Sequence, residues 1–396
     1  MTVPAESVPP TLPAGRRAVL GVTRSATDRP WRDRLDTRGG ALARQIAQEV
    51  GLPDVVSRLL AARDVAAENA EAYLNPQLRT LLPDPSLFTD MEAAAGRIAD
   101  AVERGEKVAV FGDYDVDGAT SVAVFVRYLR SQGLEPSIYI PDRLVDGYGP
   151  NPRAVGELAA GGATLLVTLD CGTSSFEAFE EARRRGLDVV TLDHHQAGVE
   201  LPPALALVNP NRQDDLSGHG HLAAVGVTFV TLVGVNRELR RRGWFERQGT
   251  TPPDLLALLD LVALGTICDV VPLVGLNRAF VVKGLSVLRA RGNRGLAALA
   301  DVVKLNGPPT PYNLAFMLGP RINAGGRIGD SGLGARLLIS DDHVAAGRIA
   351  VELDRLNRER QALEAEALDA AELMVVARLG GTAPPVIVEA SADWHP

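Results

Sequence analysis

Cysteine is almost missing from this chain: Cys171 and Cys268 are the two in 396 residues. A disulfide-stapled scaffold is thereby excluded. No run of eighteen or more apolar residues occurs, which excludes an ordinary helical membrane span. The opening residues hold several prolines and no apolar segment of the kind a secretory leader carries. A reducing cytoplasm is the expected setting. Positive charge is also short: 41 Lys and Arg stand against 49 Asp and Glu, a net charge of −8. That excludes a wholly basic coat for nucleic acid but leaves room for a local basic groove. Acids that bind cations would inflate the same count. What is present is ordinary for a packed core, with 46% hydrophobic and 23% charged residues. The length allows two domains, or one large domain with an appendage.

Periodicity divides the chain. Residues 1–30 show little of it and read as a mobile tail. Apolar residues then recur at helical spacing from Leu42 to Leu74, with Leu59, Leu60 and Leu74 among them. Pro76, Pro83 and Pro85 interrupt, and Met91 to Glu103 reads as another helix. Strand and helix alternate from there. Strands are expected at Lys107–Phe111, Ser137–Ile140, Thr164–Leu169, Asp188–Leu192 and Ala204–Val208. Helices are expected near Ala119–Gln132, Pro152–Ala160 and Ser174–Arg185. This alternation predicts an α/β fold with a parallel sheet and right-handed crossovers. Gly226 to Leu296 reads as helical, interrupted near Gly243–Pro253. A long amphipathic helix is expected from Asp341 to Leu379, striped by Ile349, Leu353, Leu356 and Leu363. Gly380-Gly381 and a strand-like Val386-Ile387-Val388 follow it.

Acids gather where strands are expected to end. Asp113, Asp115 and Asp117 alternate in Asp113-Tyr114-Asp115-Val116-Asp117-Gly118, and carboxylates so close repel unless they share a cation. A calcium loop starts with the same spacing, but its twelfth position needs Glu and here is Val124. A solvated acidic turn is the plain alternative. Asp170 and Asp193-His194-His195 follow two further strands. In an open parallel sheet all three clusters meet at the carboxyl edge, where such sheets bind ligands. Mixed carboxylate and imidazole donors suit Mn²⁺, Mg²⁺ or Zn²⁺, and a pair of such ions points to phosphate chemistry. Asp269, in Gly265 to Pro272, and Asp170 read singly as caps or turns. Both cysteines adjoin these acids, though an oxygen-rich site favours harder metals than thiolate does. Asn209-Pro210-Asn211-Arg212 reads as a turn with a solvated arginine, and His219 and His221 sit in a glycine-containing loop. Gly319-Pro320-Arg321-Ile322-Asn323-Ala324-Gly325-Gly326-Arg327-Ile328-Gly329 has glycines that admit a ligand to the backbone and arginines that fork onto phosphate. Its alternative is a glycine turn with arginines in water.

In combination these stretches resemble the DHH phosphoesterase family, named for the motif that is Asp193-His194-His195 here, and most of all its RecJ-type single-strand-specific exonucleases. Gly112 to Ser121 is similar to the first family motif, Asp170-Cys171-Gly172 to the second, Gly265 to Leu273 to the fourth, and Arg321 to Gly329 to a further RecJ-type segment. The likeness extends upstream to Leu74-Asn75-Pro76 and Asp84-Pro85 and covers about residues 31–396.

The resemblance implies a DHH-type parallel sheet with flanking helices, a helical N-terminal segment and a long connecting helix. It implies two divalent cations, Mn²⁺ or Mg²⁺, held by Asp113, Asp115, Asp117, Asp170, His194 and Asp269, with Asp170 bridging. Asp170, His194 and His195 become the catalytic residues, His195 contacting the scissile phosphate or leaving oxygen. Arg321, Asn323 and Arg327 become substrate-binding. The implied reaction is 5′-to-3′ hydrolysis of single-stranded DNA in recombination and repair. The implied partners are that DNA, a single-strand-binding protein and a recombination helicase, with no membrane. Domains are expected as a tail (1–30), an N-terminal helical segment of the catalytic core (31–105), a DHH catalytic domain (106–340), a connecting helix (341–380) and the start of a DHHA1-like domain cut short (381–396). The chain is accordingly expected to be a fragment with an intact metal site and an incomplete clamp, its DHHA1 and OB domains lost. Two alternatives stand beside this reading: a DHH phosphodiesterase of short oligonucleotides or cyclic dinucleotides, and a non-catalytic nucleic-acid-binding scaffold.

Overall fold

The structure, a computed structural model, describes residues 18–379, 384 and 386–394. They fall into two compact units divided after Gln77. In the first unit, helix α1 (Thr37–Val50) starts where the Asp36 carboxylate accepts from Gly39 N and stops at left-handed Gly51. Helix α2 (Asp54–Ala61) follows. Ala43, Ile46, Leu60, Ala61, Val65, Ala67 and Ala70 form this unit's core. Leu59 and Leu74, expected in the apolar stripe, are exposed. Adjacent residues on a helix cannot share a face, so burying Leu60 turns Leu59 outward. Part of the expected tail is tied down, since Val19 N donates to Trp31 O and Trp31 N to Val22 O. Residues 1–17 lie outside the described residues.

The second unit holds five parallel strands: β1 (Val108–Gly112), β2 (Ser137–Tyr139), β3 (Leu165–Leu169), β4 (Asp188–Leu192) and β5 (Ala206–Val208). Their spatial order is β2-β1-β3-β4-β5. Strand residues alternate between two cores, as a two-residue period requires. Val108, Val110, Leu165, Val167, Val190 and Leu192 face one; Ala109, Phe111, Leu166 and Val189 face the other. The first core is closed by α3 (Met91–Arg104), α4 (Val116–Ser131) and, after α5 (Pro152–Ala160) and α6 (Phe176–Arg184), by α7 (Ala224–Arg241). The second is closed by α5 and α6. The Met91 helix thus belongs to the sheet unit rather than to the preceding helical segment.

Register places the site. Gly112 pairs with Leu169, Leu169 with Leu192 and Leu192 with Val208. One residue on, the ladder continues: Asp113 N donates to Leu169 O at 3.2 Å, Asp170 N to Leu192 O at 3.0 Å and Asp193 N to Val208 O at 3.1 Å. Asp113, Asp170, Asp193 and Asn209 therefore stand in one row across four strands. Strand order reverses between β1 and β3, which opens a crevice at that edge.

Helices α8 (Leu259–Cys268), α9 (Gly275–Arg289), α10 (Gly319–Ile328) and α11 (His343–Leu379) are among the further helices of the unit. The glycine- and arginine-bearing stretch is not a glycine turn: it is helical from Gly319 to Ile328. Its glycines serve packing: a Cβ on Gly326 would lie 2.7 Å from Tyr114 O, and one on Gly319 2.4 Å from Cys268 Sγ. Ala346, Ala350, Leu353 and Leu356 of α11 are buried, while Leu368 and Leu373 in its second half are exposed. The strand expected at Val386–Val388 does not form; residues 386–390 have no strand pairing. A strand needs a partner for its backbone groups, and none lies beside it among the described residues. Gly380-Gly381 and His395-Pro396 lie outside the described residues. No helix among the described residues is long and apolar enough to cross a membrane.

Candidate metal centre

The carboxyl-edge row becomes a site because the loops after β1, β3 and β4 fold back over it. After β1, the Asp115 carboxylate accepts from Gly118 N at 2.9 Å and caps α4. Gly118 is required there, since a Cβ would lie 2.4 Å from Asp113 O. The Asp117 carboxylate accepts from Ala224 N (2.6 Å) and Val225 N (2.9 Å), so it is held by the amino end of α7. After β3, Asp170 adopts φ 62°, a left-handed conformation uncommon outside glycine.

After β4, Asp193 organises the two histidines. Its Oδ1 accepts from His194 N, His195 N and His195 Nδ1, and its Oδ2 from Thr173 N. Asn209 Nδ2 donates to Thr173 Oγ1 and His195 O, and Asn211 Nδ2 to His194 O. The Asn209–Arg212 turn is thus a brace behind the Asp-His-His segment. Its Arg212 is not solvated: the side chain is 7% exposed and paired with Asp90 and Asp214.

His194 sits amid acids. Its Nδ1 lies 3.1 Å from Leu222 O, an atom that can only accept, so Nδ1 carries the proton. In the neutral ring, the Nε2 lone pair then faces Asp170 Oδ1 at 3.3 Å and Asp117 Oδ2 at 3.8 Å. Acceptor faces acceptor, and a cation between them is the arrangement that resolves this. Asp269, at the end of α8, comes within 3.6 Å of His194 Nδ1. Asp113 Oδ1, Asp170 Oδ1 and Asp269 Oδ2 are buried and accept no hydrogen bond. Three triads have donor atoms within 4.8 Å of one another: Asp113, Asp115 and Asp170; Asp170, His194 and His195; Asp117, His194 and Asp269.

Protonation follows from this crowding. Burial, then the charge of Asp115, pushes the Asp113 carboxyl up to about 7. Burial also raises Asp117 and Asp170 well above the ordinary range, aided by Asp269 beside the first and Asp117 beside the second. Asp269 is raised by burial, with His194 opposing. Asp193 goes the other way: burial would raise it, but hydrogen bonds from His195 and Thr173 prevail and lower it. The same hydrogen bond raises His195 to about 8 against its burial. Neither thiol is a ready ligand; Cys171 donates to Leu169 O, and burial raises the Cys268 thiol to about 12.

The structure therefore brings together all seven residues expected at the metals: Asp113, Asp115, Asp117, Asp170, His194, His195 and Asp269. The expected phosphate clamp is not brought together as a unit. Arg321 Nε donates to Asp354 Oδ1 at 2.8 Å and its NH1 to Met317 O, so this guanidinium is occupied. Arg327 is exposed and lines, with Asn323, Arg360, Leu363 and Glu364, a groove of about 540 Å³. Sequence reasoning also missed Tyr148. Its hydroxyl donates to Asp170 O at 3.2 Å and lies 3.3 Å from His195 Nδ1 and 3.4 Å from its Nε2. The signal was a tyrosine between Gly147 and Gly149, both in the left-handed region. Arg143, whose guanidinium stands 5.7 Å from the Tyr114 ring centre, was missed as well.

Comparison with known proteins agrees with this geometry. The DHH family, N-terminal domain, matches residues 107–266. The single-stranded-DNA-specific exonuclease RecJ of Dickeya dadantii is 40% identical over 363 residues, 89% of this chain and 62% of that protein. RecJ of Escherichia coli is 39% identical over 87% of this chain and 60% of its own length. The chain thus spans less than two thirds of these curated relatives. A crystal structure of exonuclease RecJ bound to manganese is 36% identical with a TM-score of 0.66, covering 80% of this chain and 75% of that one. RecJ of Thermus thermophilus in complex with Mn²⁺ is 32% identical with a TM-score of 0.71, covering 90% and 49%. With fold, acid row and sequence in agreement, the chain belongs to the DHH family and, within it, to the RecJ branch.

Proposed function

We propose that this chain carries the centre of a metal-dependent phosphodiesterase, a 5′-to-3′ exonuclease on single-stranded DNA in recombination and repair. One observation carries the reading. Buried oxygens of Asp113, Asp170 and Asp269 accept no hydrogen bond, and the His194 Nε2 lone pair faces the carboxylates of Asp170 and Asp117. Two divalent cations, Mn²⁺ or Mg²⁺, fit this donor set. Asp113, Asp115, Asp117, Asp170, His194 and Asp269 would hold them. Asp170, common to two triads, is the shared ligand. When bound, such a pair supplies an activated water and offsets charge on the attacking and leaving oxygens.

The protein's own groups do the rest. Leu222 O fixes the His194 tautomer so that Nε2 stays a ligand. Asp193 holds the His195 ring at Nδ1 and favours its protonated form, from which His195 would donate to the scissile phosphate or leaving oxygen. Tyr148 steadies the same ring. Arg327 and Asn323 grip the backbone from their groove, and Arg321 supports it through Asp354. The catalytic domain is assigned to residues 106–340. The setting is the cytoplasm, and a single-strand-binding protein and a recombination helicase are the partners.

The test is hydrolysis with Mn²⁺ of a long 5′-phosphorylated single strand, beside its duplex and a dinucleotide. Mononucleotides released from the 5′ end of the single strand are expected. Cleavage of the dinucleotide alone would favour the short-substrate alternative. No cleavage of any substrate would contradict the reading.

A further inference from the structure

The two most exposed aromatic side chains among the described residues stand side by side. Tyr312 is 64% exposed and Phe316 65%, with ring centres 4.9 Å apart. Around them Ile267, Val270, Val271, Leu273 and Pro311 line an almost wholly apolar hollow of about 380 Å³. The hollow adjoins the metal centre along the chain, since Val270 in its lining directly follows Asp269. Val270 is itself unusual: φ is 62° and the side chain is 85% exposed. A β-branched residue in the left-handed region is a genuine backbone outlier, and such strain gathers at functional sites. Phe316 is carried on a π-helical turn, Asn313–Leu318, and Tyr312 immediately precedes it; such turns concentrate at functional sites.

The geometry points to this patch as a stacking platform for a nucleobase of the single strand. The inference rests on the functional reading above and adds to it where the bases lie. Helix α10 gives the direction. Its Gly319 end packs on Cys268, next to Asp269, and its Gly326 end packs on Tyr114, between Asp113 and Asp115. Ten residues of helix span about 15 Å. The groove follows α10 from Pro320 to Arg327, so Arg327 lies toward the Tyr114 end of the metal centre and the Tyr312–Phe316 pair toward the Asp269 end. A backbone drawn across the metals from the groove delivers its bases to the aromatic pair. Stacking on an aromatic face is tolerant of sequence, as a non-specific exonuclease requires. It also selects single strands, because bases within a duplex have no free face to offer.

The test uses the full 396-residue chain. Affinity is measured in Ca²⁺ for a 5′-phosphorylated oligothymidylate and for an abasic strand of equal length. The wild type is compared with a double variant, Tyr312→Ala with Phe316→Ala, and with Tyr312→Phe. The double variant is expected to lose roughly ten- to hundredfold in affinity for oligothymidylate, with the abasic strand bound as by wild type. Tyr312→Phe, which keeps the ring, should retain affinity. Equal losses for both strands, or none for either, would overturn the platform. Unchanged strand affinity with an altered sedimentation coefficient would show that the patch meets a protein surface instead. Hydrolysis by the wild type in Mn²⁺ separates the two levels. If wild type cleaves the long strand and the variant still binds it normally, the platform alone is wrong; if wild type neither binds nor cleaves, the functional reading fails with it.

Discussion

Two charged clusters in this molecule are built in opposite ways. Around Asp354 the charges close on themselves: Arg321 and Arg358 both pair with it, and the ensemble needs nothing further. At the edge of the sheet, Asp113, Asp115, Asp117, Asp170 and Asp269 converge on one another and on His194. Burying charge without a partner is costly, so such a site is completed by protons or by metal. The difference separates a charged cluster that holds the fold together from one that awaits a ligand. It also reassigns Arg321, which reads as a phosphate grip in sequence and is a brace in structure.

Removing the shared acid should break the comparison most completely. Asp170→Asn keeps a residue that tolerates φ 62° and removes one mutually repelling carboxylate. Hydrolysis in Mn²⁺ is expected to fall by roughly a thousandfold or more. The metal-free variant should melt higher than metal-free wild type at pH 8. An unchanged rate would show that the site is misplaced.

Metal and pH sharpen the contrast next. The folded-state value of Asp113 is raised to about 7, so its contribution to metal-free stability is full below about pH 4 and lost as pH rises through 7. His195, raised to about 8, contributes below about 6.5 and loses that contribution as pH rises through 8. The metal-free protein should therefore lose stability between pH 5 and pH 8. Mn²⁺ competes with those protons, so its stabilisation should be larger at pH 8, about 2.7 kcal/mol at a hundredfold excess over Kd. Calorimetric melting with and without Mn²⁺ checks this; a metal effect equal at both pH values would contradict it.

Tyr148→Phe probes the ring that the acids hold. Turnover should fall about tenfold while Mn²⁺ affinity stays unchanged, a split that steady-state kinetics and titration resolve. The arginine pair gives the smallest effects. Arg321→Ala should cost about 1 kcal/mol of stability by leaving Asp354 a single partner. Arg327→Ala should leave the melting temperature in place and lower the salt slope of strand binding by about one. If the two variants exchange these phenotypes, the assignment of brace and grip is reversed.

The sheet was legible because its strands are short apolar runs that end in acids, and five parallel strands form at the expected places. The metal residues were legible because successive strand ends must share one edge. What sequence could not show is which polar groups face inward. Nothing in Asn209 or Asn211 signals that their amides hold the two histidine carbonyls. Nothing in Gly325-Gly326 distinguishes a phosphate loop from a helix pressed against Tyr114. Tyr148 comes to His195 across 47 residues, by loop geometry that no periodicity reports.

The central claim is that the unbalanced acid row is a two-cation site. Titration calorimetry of the metal-free chain with Mn²⁺ at pH 8, repeated on Asp170→Asn, tests it most directly. Two ions per wild-type chain, with the shared site lost in the variant, is the predicted result. No binding to wild type, or the same stoichiometry and affinity in the variant, would contradict it.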